Sequence, residues 1–188
     1  SNMFFHRCVP GFVVQGGGFI VTNLTSGSSF ASYREVTNFG RLGNEFSTGT
    51  TISNTFGTIA MAKIGNDPDS ATSQWFFNLA NNTNLDTQNG GFTVFGRILA
   101  NTNSSNTLVH FNGLSNAVGI VNLNTLLGTS YAVFNELPVA FANNRVPLYR
   151  ELYSTRISVL NQTNPPGQSP PTVQIVTPGP NSTFTNQT

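Results

Sequence analysis

The residue best suited to chemistry near the start of the chain is an arginine. Arg7 lies in a β-prone run, and the aromatic Phe12 and the amide Gln15 follow it within eight residues. An arginine is always charged and offers five hydrogen-bond donors in a rigid fork, so this group is suited to donating to a bound ligand. The spacing alone favours the alternative, an ordinary strand pair with a surface arginine.

Two strands and a turn must position these side chains. Residues 4–9 form a dense β-type run, Pro10-Gly11 is turn chemistry, and residues 12–15 resume an apolar strand. The glycines at 16–18 allow the backbone to bend or to approach another segment closely.

Three blocks of sequence, taken together, resemble the cyclophilins, the cyclosporin-binding family of peptidyl-prolyl cis-trans isomerases. The first is residues 5–17 (FHRCVPGFVVQGG), the second runs through residues 57–76 with Met61-Ala62 and a Ser-Gln-Trp-Phe end, and the third is residues 85–97 (LDTQNGGFTVFGR). The three blocks occur in the same order as in the family, and their amino-acid sequences resemble those of the bacterial branch. The resemblance covers roughly residues 4–160 and implies a mainly β fold, an antiparallel β-barrel with one or more packed helices.

The activity that the resemblance implies is rotation about the peptide bond before proline. A peptide bond resists rotation by about 18–20 kcal/mol because its nitrogen lone pair is delocalised. Before proline the cis and trans forms lie within about 1 kcal/mol, so only the barrier has to fall. A donor aimed at the prolyl nitrogen localises the lone pair, and no metal, nucleophile or cofactor is required.

The resemblance also assigns roles to residues. Arg7 is the expected catalytic donor, assisted by Phe12 and Gln15. The expected substrate-binding residues, which form the proline pocket and hold the flanking peptide, are Val13, Ala62, Lys63, Gln74, Phe76, Leu85 and Phe92. Asn84 stands where animal cyclophilins carry a tryptophan that helps to bind cyclosporin, which implies weak drug binding. Trp75 is interpreted as a core residue because side chains alternate between the faces of a strand.

Composition argues against several other functions. Charged residues make up only 8 % of the chain and the net charge is +1, so neither nucleic acid nor an anionic membrane surface is an expected partner. No apolar run approaches the ~18 residues of a membrane-spanning helix. A surface built from neutral polar residues favours an exported, for example periplasmic, bacterial protein, although the sequence leaves the compartment open.

The residues that bind metals are few. Cys8 is the only cysteine, which excludes an internal disulfide, and its position in a strand favours a buried small side chain over a reactive thiol. Two histidines are too few for a convincing metal cluster. Asp67 and Asp69 could hold a cation, but the alternative of hydrated acids in a turn over residues 66–70 is favoured because few ligands converge there.

The remaining pattern predicts further elements. Strands are expected at residues 57–63, 73–79, 92–99 and 152–160, with a strand-like run at 131–134. A helix over residues 107–114 is expected, with Asn106 as its N-cap and Gly113 near its end.

The two ends of the sequence raise a question about the barrel. Only four residues precede Phe5, where the family carries two strands and a helix, so we expect an incomplete barrel with unpaired strand edges. Residues 161–188 form a Pro-rich tail that holds six of the ten prolines and a β-prone run at 172–176. That run is expected to add a strand, either to its own barrel or to a second copy in a strand-exchanged homodimer.

Two functions therefore compete. The intact motif favours a peptidyl-prolyl isomerase that acts on X-Pro bonds in proteins and assists folding. The short amino-terminal segment favours a non-catalytic cyclophilin-like module that binds peptides or assists assembly.

Overall fold

The computed structural model describes residues 2–22, 30, 32–99, 102–155 and 157, and every structural statement below concerns these residues. Strands dominate within them. The strands are β1 (Met3–Phe4), β2 (Arg7–Val9), β3 (Val13–Gly16), β4 (Phe19–Val21), β5 (Tyr33–Glu35), β6 (Thr58–Met61), β7 (Trp75–Asn78), β8 (Val94–Arg97), β9 (Ile120–Val121), β10 (Leu137–Pro138) and β11 (Ser154–Thr155). The helices are α1 (Thr102–Asn112) and α2 (Leu123–Leu127), with 3-10 helices at Thr83–Asp86, Gln88–Gly90, Thr129–Phe134 and Tyr149–Glu151.

The strands pair into two larger sheets. One has five antiparallel strands in the order β2-β3-β7-β6-β8, the other has four in the order β11-β1-β4-β5, and β9 pairs with β10. In the part of the chain that the structure describes, no strand pairing closes the two larger sheets into one. The predicted mainly β class with a packed helix is confirmed.

The five-stranded sheet carries an apolar cluster on each face, and one of them supplies the main core. Cys8, Val14 and Phe77 lie on this face and pack with Leu108 and Phe111 of α1. Cys8 is only 1 % exposed, so the interpretation of this residue as a buried small side chain is confirmed. The predicted core position of Trp75 is confirmed as well, since this ring belongs to the same cluster.

Strand β1 connects the main core to a second one. Phe5, which directly follows β1, packs edge-on against Trp75 and Phe111 in the main core. Its neighbour Phe4 points the other way, into an aromatic cluster with Phe30 and Phe134. Adjacent residues of an extended chain point to opposite sides, so this short segment fastens two cores at once.

Helix α1 begins five residues earlier than predicted. It ends at Asn112, two residues before the predicted end, where the amide of Gly113 bonds back to the carbonyls of Val109 and His110. Asn106, the predicted N-cap, lies inside the helix. The prediction failed because residues 101–106 (NTNSSN) are all favourable cap types, and only the buried positions of the second half mark the helix by their periodicity.

The run at residues 131–134 is not a strand. It belongs to the segment Thr129–Phe134, in which two 3-10 turns meet at a kink at Tyr131 (φ −108°, ψ 18°). This geometry brings both Tyr131 and Phe134 against Tyr33, with ring centroids 5.9 and 4.7 Å apart. The packing of these rings on Tyr33 therefore outweighs the β-propensity of residues 131–134.

The other predicted strands exist but are shorter than expected. The strands predicted at 57–63, 73–79 and 92–99 are β6, β7 and β8. Of the strand predicted at 152–160, β11 covers Ser154–Thr155, and residues 156 and 158–160 lie outside the described residues. The strand predicted at 172–176 and the proposed tail likewise lie outside them, so the division into a domain and a tail stays a prediction.

Candidate active site

A row of side chains crosses the five-stranded sheet on the face away from α1. Arg7 is the cross-strand partner of Gln15, Gln15 of Phe76, and Phe76 of Ala60. Ala60 in turn pairs with Val94 on the edge strand. Directly opposed residues have Cβ atoms about 4.5–5.5 Å apart, so the row is continuous from a cation at one end to an apolar surface at the other.

The guanidinium of Arg7 is oriented by a carboxylate from a distant segment. Its Nε donates to Oε2 of Glu136 at 2.7 Å, and both side chains are 35 % exposed. The backbone carbonyl of Glu136 also accepts from the amide of Cys8 at 2.8 Å, which fixes this residue beside β2. Since Glu136 occupies Nε, the four N–H groups on the two Nη atoms form the outward end of the fork.

Two amides continue the polar edge of the row. Nε2 of Gln15 donates to Oε1 of Gln74 at 2.7 Å. The side chain of Gln74 also hydrogen-bonds the buried His6 ring. Burial, reinforced by the charge of Arg7, lowers the pKa of His6 to about 4, so this imidazole is neutral near pH 7. The neutral ring fixes Gln74 without adding a second positive charge beside Arg7.

The glycine run after β3 is required by close packing under these amides. Gly17 has φ +81°, and a Cβ there would lie 2.4 Å from the carbonyl oxygen of Ser73. A Cβ on Gly18 would lie 2.9 Å from Cδ of Gln74. Real Cβ atoms do not approach other atoms so closely, so the run brings the backbone against the segment that carries Gln74.

An apolar cluster adjoins the polar edge. Its buried members are Val13, Ala60, Phe76, Leu85 and Val94, and Phe12, Ala62 and Phe92 pack against them while remaining partly exposed. The rings of Phe76 and Phe92 meet edge to face with centroids 5.8 Å apart. Partly exposed aromatic rings around a buried apolar floor form a surface that suits a small apolar ring such as that of proline.

The side chain of Lys63 supports this cluster from the side. Its Nζ donates to the carbonyls of Asn89 and Gly91 at 2.8 and 2.5 Å and lies 4.6 Å from the centre of the Phe92 ring. Partial burial lowers the pKa of Lys63. The ammonium thus fastens the loop that carries Phe92, a role that the resemblance did not assign to it.

A chain of buried amides holds the walls of the apolar cluster together. Asn82 Nδ2 donates to the carbonyl of Phe12 at 2.8 Å and to Oδ1 of Asn78 at 2.7 Å. Asn78 Nδ2 continues to Oδ1 of Asn54 at 3.1 Å. Asn54 then donates to the carbonyl of Phe92 at 2.9 Å. The loop before β3 and the loop before β8 are therefore connected through one polar network.

The amide network ends on a carboxylate. Asp86 accepts from the backbone and side-chain amides of Asn54, both at 2.9 Å, and from Oγ of Ser53 at 2.5 Å. Burial opposes its ionisation, but these donors together hold the pKa of Asp86 below its ordinary value. Asp86 directly follows Leu85, so the network also sets the position of that wall.

The structure thus brings all ten predicted site residues into one contiguous region. Arg7, Gln15 and Gln74 form its polar edge, and Lys63 packs on the ring of Phe92 at its far side. Sequence reasoning missed the supporting residues, which are His6, Asn54, Asn78, Asn82, Asp86 and Glu136. A signal existed only for His6, inside the Phe-His-Arg motif. The asparagines have no distinguishing neighbours in so Asn-rich a chain, and Glu136 lies 129 residues from its partner.

The turn acids considered for a metal have protein partners instead. Asp67 forms an ion pair with Arg41, and Oδ1 of Asp69 accepts from the backbone amide of Asn44 at 2.8 Å. Within the described residues, no group of three or more His, Cys, Asp or Glu side chains is arranged to hold a metal ion. In the same residues, no helix combines the length and apolar character needed to span a membrane.

Comparison with known proteins relates the sequence of this chain to a family. Residues 1–117 match the family model of cyclophilin type peptidyl-prolyl cis-trans isomerases. A peptidyl-prolyl cis-trans isomerase of Acinetobacter baylyi is 41 % identical over 101 residues, which cover 53 % of this chain and 47 % of the relative. Peptidyl-prolyl cis-trans isomerase B of Escherichia coli is 35 % identical over 104 residues, covering 53 % and 56 %. The chain spans about half the length of the curated relatives it matches.

The chain belongs to the cyclophilin-type peptidyl-prolyl cis-trans isomerase family, because the family model matches more than half of its residues. Among solved structures, a Cryptosporidium parvum cyclophilin type isomerase, crystallised in the presence of the dipeptide Ala-Pro, aligns with a TM-score of 0.41 and 21 % identity. That alignment covers 61 % of this chain and 63 % of the other. The predicted family is therefore confirmed by sequence.

Proposed function

We propose that this protein catalyses cis-trans isomerisation of X-Pro bonds in peptides and proteins. The observation that carries the proposal is the row in which Arg7, Gln15 and Phe76 are successive cross-strand partners. It presents hydrogen-bond donors beside an apolar floor, which is the combination that a prolyl peptide requires.

The proposed mechanism follows from this arrangement. The proline ring lies on Phe76 and Leu85, against Phe12, and the Nη atoms of Arg7 donate towards the prolyl nitrogen. That hydrogen bond draws the lone pair out of conjugation and lowers the rotational barrier. The amides of Gln15 and Gln74 hold the flanking peptide so that one side of the bond stays fixed while the other turns.

The test is Arg7→Ala in the full chain. We expect kcat/KM for an Ala-Pro test peptide to fall more than tenfold, which corresponds to about 1.4 kcal/mol of barrier. NMR exchange spectroscopy on the peptide measures the rate without a coupling protease. Arg34→Ala is the matched control, because Arg34 is an exposed residue of β5 in the other sheet, and this variant should keep the wild-type rate.

The same measurement separates catalysis from binding alone. A non-catalytic peptide-binding module would bind the test peptide without accelerating its exchange. An unchanged rate in Arg7→Ala, with a catalytically active wild type, would remove Arg7 from the mechanism.

The expected partners are proline-containing peptides and proteins. Members of this family act on such substrates, and a net charge of +1 gives no reason to expect nucleic acid. The strand-exchanged homodimer stays a prediction, and sedimentation of the full chain over a range of concentrations tests it.

A further inference from the structure

The surface on which we propose that a prolyl peptide binds, called the groove below, is formed by Arg7, Gln15, Phe76 and Phe12, and strand pairing limits its distance from Thr155, one of the last described residues. Met3 is the cross-strand partner of Thr155, so their Cα atoms lie about 5 Å apart. Arg7 lies four residue steps after Met3, which adds at most about 14 Å. Two further cross-strand steps of about 5 Å reach Phe76, which places the whole groove within about 30 Å of Thr155.

The sequence beyond this point supplies several candidate ligands for a proline-binding groove. Residues 161–188 contain six prolines and no charged residue. Most of these prolines occur as Pro-Pro pairs at 165–166 and 170–171. A proline in such a pair has a neighbour without an N–H group, so the peptide offers fewer donors to the amide oxygens beside the pocket.

One segment of the tail keeps its donors on both sides of each proline. In residues 177–181 (TPGPN), Pro178 and Pro180 are each flanked by residues that retain an N–H group, and Gly179 adds no side chain that could clash. The 22 residue steps from Thr155 to Thr177 span at most about 75 Å when extended. The segment is therefore within reach of the groove, which lies at most about 30 Å from Thr155.

We propose that residues 177–181 occupy the groove of the same chain as an intramolecular ligand that competes with substrate. The proposal rests on the proposed function for the location of the peptide site. A tether of this length gives an effective concentration of about 1 mM. A ligand with a Kd of about 1 mM is then bound about half of the time, so even a weak X-Pro sequence is sufficient.

Two full-length variants test the proposal. Pro178→Ala with Pro180→Ala removes both prolines of the proposed ligand, and Pro165→Ala with Pro166→Ala makes the same chemical change elsewhere in the tail. Since half occupancy doubles the apparent KM, the first variant should show a KM about twofold lower for an Ala-Pro peptide, with kcat unchanged. The second should match the wild type. Equal KM values for all three proteins would overturn the proposal.

A second measurement does not depend on catalysis. In the first variant, the side-chain NH2 signals of Gln15 and Gln74 should shift in a 15N correlation spectrum, and in the second they should not. Shifts without peptide turnover would leave the tail ligand standing and refute the isomerase. Peptide turnover without these shifts would support the isomerase and overturn the proposed tail ligand. Shifts in the wild type that grow with protein concentration would show that the tail of another copy binds, and would overturn the intramolecular assignment.

Discussion

Glu136 is the residue on which the orientation of Arg7 depends most directly. We expect Glu136→Gln to lower kcat/KM about three- to tenfold, because the guanidinium loses its charged partner and samples more orientations. The free energy of unfolding should change by less than about 1 kcal/mol, since half-exposed ion pairs contribute little. Peptide exchange kinetics and urea denaturation provide the two measurements. Glu35→Gln, at an exposed position of β5, is the control, and a loss of stability without a loss of rate would contradict the orienting role.

Cys8 gives a prediction of chemical reactivity. Burial raises the pKa of its thiol to about 12, and the nearby carboxylate of Glu136 acts in the same direction. The thiolate is the reactive form, so native protein should not react with DTNB at pH 8 within minutes. The same protein in 8 M urea should release one equivalent of thionitrobenzoate. Rapid labelling of native protein would show that the strand β2 opens readily.

Single residues differ in how well the sequence predicts them. Arg7 and Gln15 could be identified as neighbours because only a two-strand hairpin separates them, and such pairing is local. Glu136 could not, since its position depends on the path of the chain through α1, β9 and the 3-10 helix before β10. The choice between strand and 3-10 helix at Tyr131 depended in the same way on a distant ring, Tyr33.

At the scale of elements, the amide network makes two loops behave as one unit. Asn78 lies at its centre, where Nδ2 donates to Asn54 and to Oγ1 of Thr58 and Oδ1 accepts from Asn82. Removing it leaves several buried polar groups without partners, each at a cost of about 1–3 kcal/mol. We expect Asn78→Ala to lower the free energy of unfolding by about 2–4 kcal/mol and to raise KM for peptides.

The control for this element is a nearby asparagine outside the network. Asn84→Ala changes an exposed side chain of the 3-10 helix Thr83–Asp86. Both the stability and the KM of this variant should therefore stay close to wild type. Thermal melting and peptide titration compare the two variants. Equal melting temperatures would show that water replaces Asn78 without cost.

Elements were easier to predict than their limits. Buried strands such as β6 and β7 are marked by their apolar runs, and the turn at residues 66–70 by its Asn, Asp and Pro residues. Helix α1 was recognised only where Leu108 and Phe111 face the core, because its polar first half has no periodic signal. A sequence pattern therefore predicts only the part of an element whose side chains pack against the core.

For the whole molecule, the buried His6 predicts a dependence of stability on pH. The pKa of His6 is about 4 in the folded protein against an ordinary 6.5, so the unfolded chain takes up the proton first as pH falls. Stability is therefore complete above pH 6.5 and declines towards pH 4, by up to ~3 kcal/mol at ~1.4 kcal/mol per unit. Asp86, whose folded pKa is lowered, adds a loss in the same direction below its ordinary pKa.

Urea denaturation at pH 7.5, 5.5 and 4.5 measures this decline. In His6→Gln the free energy of unfolding should be lower than in the wild type at pH 7.5, and its slope between pH 6.5 and 4.5 should be close to zero. Return of the wild-type protein to pH 7.5 should restore its stability fully. A wild-type curve that is flat down to pH 4.5 would contradict a neutral, buried His6.

The position of β1 has a consequence for synthesis on the ribosome. Met3 pairs both with Ile20 and with Thr155, so the four-stranded sheet has to wait for one of the last described residues. At about 5–20 residues per second, the ~150 residues between these partners take roughly 8–30 s to translate. All strands of the groove-bearing sheet lie before residue 98 and are made first. We therefore expect the nascent groove to exist before the tail is translated, so that the first prolines it meets are those of its own chain.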